Sequence, residues 1–375
     1  MMVREAGPVA GASEKARTMR RLAFLSVIPW LAGAACAQDF DDAVLRGSSG
    51  FEPVAARAVP IYAADAPGST YPIDADAAVA PAPPPGLPAA REFRVEIGLR
   101  YWYSSGSFAK NLFDDPRSSN NLNSRLTYGG LTGQSYEFFG RIDHASGFFL
   151  KGFVGLGSIN TGTLTDEDFP PAIFAYSSTL SDQQNGRLGY ATVDFGYSFL
   201  NAPAYRVGAF VGYNYMAETL NAYGCTQTAG NSEVCVPSIP PSVLGITEDA
   251  KWNSLRIGLA ADVVLFDRLR LGGEAAWVPF TRLASTDTHW LRTDIFMPVP
   301  EQGDGNGVQL EAFASYQFTE AFSAGVGARY WRMQASGSIA LEAAEDAINA
   351  VAQPGTFATD RFGVFAQAAY KFCLD

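Results

Sequence analysis

The sequence lacks most of the features that identify soluble enzymes and nucleic-acid-binding proteins. Its 375 residues include only 2 histidines and 4 cysteines, and its 38 acidic side chains outnumber the 27 lysines and arginines. With a formal net charge of −11, the chain has no basic stripe that could neutralise phosphates. We therefore exclude nucleic acid as a partner.

Long apolar runs are also scarce, and the one that stands out lies near the start of the chain. It follows Arg20-Arg21 and ends at Ala35-Cys36-Ala37, a basic start and a small-x-small end that are typical of a secretory signal. The run is too short to span a bilayer as a helix. We predict a signal peptide over residues 1–37, with Met19 as the candidate true start. A lipoprotein signal at Cys36 is the alternative, although Gly33 stands where such signals usually have Leu.

The composition changes twice after this signal. Residues 38–92 are rich in Ala, Pro and Asp, as in Pro81-Ala82-Pro83-Pro84-Pro85, and such a segment cannot bury a core. We predict that it is a disordered periplasmic segment and that a membrane domain occupies residues 93–375.

From Phe93 onward, apolar residues alternate with small or charged residues of both signs, which indicates strands with one lipid-facing side. The alternating stretches include 93–101, 205–213, 255–265, 269–277, 308–316 and 362–372. A soluble sandwich alternates too, but here short connections also alternate with long ones, as in outer-membrane barrels. We predict an all-β fold: a ten-stranded antiparallel transmembrane β-barrel of up-and-down topology.

The predicted connections give the barrel an orientation. Four joins are tight, and five long loops are predicted at 105–122, 161–186, 222–249, 283–305 and 336–357. Short turns face the periplasm and long loops face outward in this class. Because ten strands return the chain to its starting side, both termini should be periplasmic in a Gram-negative outer membrane. The aromatic ending Tyr370-Lys371-Phe372 is typical of such proteins.

Two cysteines lie close together in the third long loop. Cys225 and Cys235 most simply form a disulfide in an oxidising compartment. A metal site is the alternative, but no histidine lies near them in the sequence.

Candidate catalytic residues occur in two other long loops. Asp287 and His289 are two residues apart, so an extended backbone places both side chains on one face, where the carboxylate could orient a general base. Asp166 and Asp168 have the same spacing and could hold a water, although a solvated acidic loop or a weak calcium site has the same pattern. The other histidine, His144, is expected to be a solvated turn residue.

The region from Ser124 to Trp331 resembles the omptins, outer-membrane endopeptidases with a ten-stranded barrel. The similar segments are Ser124-Arg125-Leu126-Thr127-Tyr128, 188–195, 200–208, Gly212-Tyr213, Asp166-Glu167-Asp168 and Asp287-Thr288-His289. The resemblance implies that His289 is the general base, Asp287 orients it, and Asp166 and Asp168 form the opposing pair around the attacking water.

The resemblance also implies partners and a requirement. We expect a monomer that contacts outer-membrane lipid and lipopolysaccharide and cleaves an extracellular peptide or protein. Lipopolysaccharide is a candidate requirement, and no cofactor or metal is expected. Ser285 stands where the family has one acidic specificity residue, and Phe108-Ala109-Lys110 occupies the region where the other is expected, so cleavage beside basic residues is not predicted. The alternative is a non-catalytic barrel that is structural, adhesive or a narrow pore.

Overall fold

The structure, a computed structural model, describes residues 92–115, 118–169, 175–202, 204–341 and 352–374. The predicted signal peptide (1–37) and, apart from Glu92, the predicted periplasmic segment (38–92) lie outside these residues. Among the residues described there is no helix long and apolar enough to cross a membrane.

The alternating sequence forms antiparallel strands throughout the described chain. In order they are β1 (Phe93–Asp115), β2 (Ser118–His144), β3 (Phe148–Asp168), β4 (Ser177–Gln183), β5 (Gly186–Ala202), β6 (Tyr205–Gln227), β7 (Ile239–Leu265), β8 (Leu269–His289), β9 (Val299–Gln317), β10 (Phe322–Ile339) and β11 (Gln353–Leu374).

The strands follow one another around a closed ring. Apart from β4 and β5, which do not pair with each other, the strands pair with their neighbours in sequence, and β1 pairs with β11 from Phe93 opposite Leu374 to Leu112 opposite Gly355. Both β4 and β5 pair with β3 on one side and β6 on the other, so they are two parts of one strand position. The break between them contains Asn185, whose φ is 53°. The eleven strands thus occupy ten positions, which confirms the predicted fold class.

The two ends of the barrel differ as predicted, but the strands are longer. Tight turns join β2 to β3, β5 to β6, β7 to β8 and β9 to β10 at the end that carries Phe93 and Leu374. At the other end, the prediction of a long loop at 105–122 is wrong, because β1 continues to Asp115 and β2 begins at Ser118. A strand needs only about 9–11 residues to cross a bilayer, so strands of 21 to 27 residues such as β2 and β3 project beyond it.

An exposed apolar belt marks the part of the barrel that lies in the membrane. Its side chains include Leu99, Tyr103, Tyr136, Leu156, Val193, Val211, Leu259, Trp277, Phe280, Leu310, Val326 and Val364. On β1 the exposed large apolar side chains end at Tyr103, and on β8 they end at Phe280. The later residues of these two strands therefore lie outside the membrane-spanning segments.

Paired charges and aromatic rings fill the lumen. Arg329 binds Glu137 at 2.7 Å and Glu311 at 2.6 Å. Near these charges, Trp102, Tyr190 and Trp331 pack against one another, with ring centroids 5.2–5.6 Å apart. Side chains fill the interior of narrow barrels in this way and leave no channel.

We expect the purified barrel to show no steady single-channel conductance in planar lipid bilayers. The reason is that an ion would have to displace buried ion pairs such as Arg329–Glu137. Reproducible conductance steps that scale with the number of inserted barrels would contradict this prediction and would favour the pore alternative.

Candidate active site

The candidate site lies at the end of the barrel opposite the tight turns, beyond the apolar belt. Asp166 and Asp168 are among the last residues of β3, and Asp287 and His289 are among the last residues of β8. They were predicted in loops, but the structure places all four within strands. Because alternate residues of a strand share a face, each pair projects to one side.

Asp287 and His289 are joined by a hydrogen bond. Nε2 of His289 lies 3.0 Å from Oδ2 of Asp287, and the two side chains are only 19% and 8% exposed. Burial by itself lowers the pKa of His289, but the charge and hydrogen bond of Asp287 raise that pKa overall. An ionised carboxylate can only accept a hydrogen bond, so Nε2 carries the proton of the neutral ring. Nδ1 is then the nitrogen that can take up a proton.

The charges of this dyad affect the pKa values of the two carboxylates on β3. Burial, followed by the charge of Asp168, raises the pKa of Asp166 to about 7, and the charge of His289 acts in the opposite direction. Burial also raises the pKa of Asp168, which is opposed by a hydrogen bond from Ser124 and by the charges of Arg292 and His289. The structure therefore brings the four predicted residues into one electrostatic cluster.

A second cluster shares Asp287 with the dyad. Nζ of Lys110, on β1, is 2.7 Å from carboxylate oxygens of Glu248 on β7, Asp287 on β8 and Glu301 on β9. Ser285 donates a hydrogen bond to Glu248. The three carboxylates lie close enough together to bind a metal ion, but here the lysine ammonium lies among them.

The sequence had not assigned roles to Glu248 and Glu301. Ser285 replaces an expected acidic residue. In the β8–β9 pairing it lies opposite Glu301, and it also contacts Glu248 on β7. Neighbouring strands thus place two acidic side chains beside Ser285. The position of Glu248 on β7 did indicate that its side chain faces the lumen, because it is separated by an even number of residues from Trp252 and Arg256, which are also buried. Which inward residues meet Lys110, however, depends on the closure of the ring.

Cys225 and Cys235 form a disulfide, as predicted. Cys225 lies near the end of β6, and Cys235 lies in the connection to β7. The bond closes a small loop on the same side of the barrel as the candidate site.

The omptin family model matches residues 147–358. This chain belongs to the omptin family. The match begins just before β3 and contains the Asp166–Asp168 pair and the Asp287–His289 dyad, while most of β11 lies outside it. The omptin assignment confirms the resemblance and places the chain in the outer membrane of a Gram-negative cell.

One solved structure agrees with this omptin fold. The outer membrane protease OmpT from Escherichia coli is 15% identical, with a TM-score of 0.64, and the alignment covers 76% of this chain and 99% of OmpT. The outer membrane protein OprG from Pseudomonas aeruginosa is 11% identical, with a TM-score of 0.29, covering 76% of this chain and 96% of OprG. No curated protein matches the sequence.

Proposed function

We propose that this omptin is an endopeptidase that hydrolyses peptide bonds of extracellular peptides or proteins at the outer mouth of the barrel. The observation that carries the proposal is the Asp287–His289 dyad, in which Nε2 of His289 lies 3.0 Å from Oδ2 of Asp287. The charges of both residues also act on the pKa of Asp166. A positioned imidazole beside an ionised carboxylate is suited to remove a proton from water.

The proposed reaction begins with neutral His289. Nδ1 takes a proton from a water that Asp166 and Asp168 help to position, and the water oxygen attacks the scissile carbonyl carbon. His289 then gives this proton to the leaving amine as the carbon–nitrogen bond breaks. Asp287 keeps the ring oriented and balances the charge of the imidazolium that forms between the two steps.

One chain supplies every residue in this scheme, which supports a monomeric enzyme. The outer-membrane setting supports contact with lipid and lipopolysaccharide, and we include lipopolysaccharide as a proposed requirement for activity. No cofactor is part of the proposal.

The first test is cleavage of a broad peptide library by the barrel refolded with and without lipopolysaccharide. We expect His289→Gln to lower the cleavage rate by about 100-fold or more, because it removes the general base. The matched control is His144→Gln, since His144 contacts Ser146 in a turn at the opposite end of the barrel.

The outcomes separate cleanly. Cleavage by wild type and His144→Gln but not by His289→Gln supports the proposal. Correctly folded wild type that is inert on the whole library in both preparations, or that is no more active than His289→Gln, would refute it.

A further inference from the structure

A buried lysine lies against the dyad, and its partners come from the far side of the lumen. Lys110 is on β1, whereas its three carboxylate partners lie on the consecutive strands β7, β8 and β9. The side chains are 4% exposed for Lys110, 0% for Glu248, 8% for Asp287 and 1% for Glu301. The contact therefore crosses the barrel and is shielded from solvent.

The ammonium group is fully engaged in this cluster. It has three N–H donors, and each of its three carboxylate partners is 2.7 Å away. Burial raises the pKa of Glu248 well above its usual range and also raises that of Glu301, which favours the neutral form of both groups. Burial also acts to raise the pKa of Asp287, but the charges of Lys110 and His289 hold it well below its usual range. Asp287 is thus the ionised partner of the ammonium.

One atom links this cluster to the dyad. Oδ2 of Asp287 accepts from Nζ of Lys110 at 2.7 Å and contacts Nε2 of His289 at 3.0 Å. The lysine and the histidine therefore share a single carboxylate oxygen, and any change at Lys110 alters both the position and the charge of the group that orients His289.

We infer that Lys110 is a positioning residue of the dyad: its ammonium fixes the Asp287 carboxylate in place for His289, and its positive charge opposes the acidic groups around the imidazole. The catalytic consequence rests on the function proposed above, whereas the effect on the imidazole does not.

The groups that face His289 give the sign of this effect. Asp287 on its own strand, Asp166 and Asp168 on β3 and Asp294 after β8 are acidic, while Lys110 on β1 is the cation whose field opposes them. Loss of the Lys110 charge should therefore make His289 more basic. A charge within about 4–6 Å changes a pKa by roughly 1 unit or more.

The test is nuclear magnetic resonance titration of the His289 ring nitrogens in a His144→Gln background, which leaves one imidazole. Removing Lys110 alone leaves three buried carboxylates without a cation and could prevent folding. The comparison is therefore made with Glu248→Gln and Glu301→Gln present, with and without Lys110→Met. We expect Lys110→Met to raise the titration midpoint by about 1 pH unit.

Lys251→Met is the matched control, because Lys251 is an exposed lysine on β7 whose loss removes the same charge. It should leave the midpoint unchanged, and Lys110→Arg should largely restore the wild-type midpoint. If Lys110→Met leaves the midpoint where it was, or moves it no further than Lys251→Met, the inference is wrong. A shifted midpoint in a barrel without peptidase activity would support the inference while refuting the proposed function.

Discussion

Replacing Arg329 with methionine should destabilise the folded barrel by about 3 kcal/mol, because it leaves a buried carboxylate without a compensating charge. Arg329 is 1% exposed and contacts Glu137 and Glu311, which are 0% and 10% exposed. Arg100 also contacts both carboxylates at 3.0 Å, so the variant retains one guanidinium for two acids. The measurement is the urea dependence of unfolding in detergent micelles, followed by tryptophan fluorescence.

Aromatic packing adds to this expected loss. The Arg329 guanidinium lies 4.4 Å from the ring centroid of Phe153 and 5.0 Å from that of Trp102, so its removal also ends cation–π contacts. Methionine retains much of the volume of the arginine side chain, so the main change in this variant is the loss of charge.

Two further variants make this prediction specific. Arg282→Met removes a guanidinium from an exposed pair with Asp304, in which the side chains are 65% and 52% exposed, and should cost less than about 1 kcal/mol. Adding Glu137→Gln to Arg329→Met restores the charge balance and should recover part of the loss. Equal effects of Arg329→Met and Arg282→Met would show that the lumen charges do not stabilise the fold as inferred.

Replacing Asp166 with asparagine should have opposite effects on activity and on stability. We expect cleavage to fall by about 100-fold, because a carboxylate that positions the attacking water is lost. Stability should rise near neutral pH, since asparagine mimics the protonated carboxyl group that the folded state prefers. Peptidase assays and urea unfolding as a function of pH measure the two effects.

The sign follows from the pKa of Asp166, which is raised to about 7 in the folded protein from 3.8. Between about pH 4 and pH 7 the unfolded chain has lost this proton while the folded chain retains it, so folding becomes less favourable as pH rises. The stability advantage of Asp166→Asn should therefore be absent below about pH 4, grow through this window and level off above about pH 7.

Glu167→Gln is the matched control for this variant. Glu167 is the adjacent residue on the opposite face of β3 and lies 4.0 Å from Arg125 at the surface. It should retain activity and show no stabilisation between pH 4 and pH 7. An Asp166→Asn variant that is fully active, or that is less stable than wild type at pH 7, would remove Asp166 from the proposed site.

Strand boundaries show what could be predicted from the sequence. Alternation at 93–101 predicted the start of β1 at Phe93, but not its end at Asp115. The regular alternation disappears where a strand leaves the lipid, because its outward face then contacts water, while its inward face carries both apolar residues such as Phe108 and charged ones such as Lys110. The same reason explains why β7 begins at Ile239, more than ten residues before the predicted strand.

The candidate site was predictable only in part for a related reason. Short-range spacing identified the Asp166–Asp168 and Asp287–His289 pairs, because each pair lies on one strand. Lys110 and its partners lie far apart in the chain, and their contacts depend on ring closure and register. Isolated acidic residues such as Glu248 and Glu301 are too common in a sequence to be singled out.

Because the strands project beyond the membrane, the candidate site lies at a distance from the lipid surface. Lys110, which contacts Asp287 of the dyad, lies about seven residues beyond Tyr103, where the exposed large apolar side chains of β1 end. At about 3.3 Å per residue along tilted strands, this corresponds to a height of roughly 15–20 Å. If the proposed function is correct, a substrate anchored in the same membrane would have to present its scissile bond at that height. Segments close to the bilayer surface would remain out of reach, whatever their sequence.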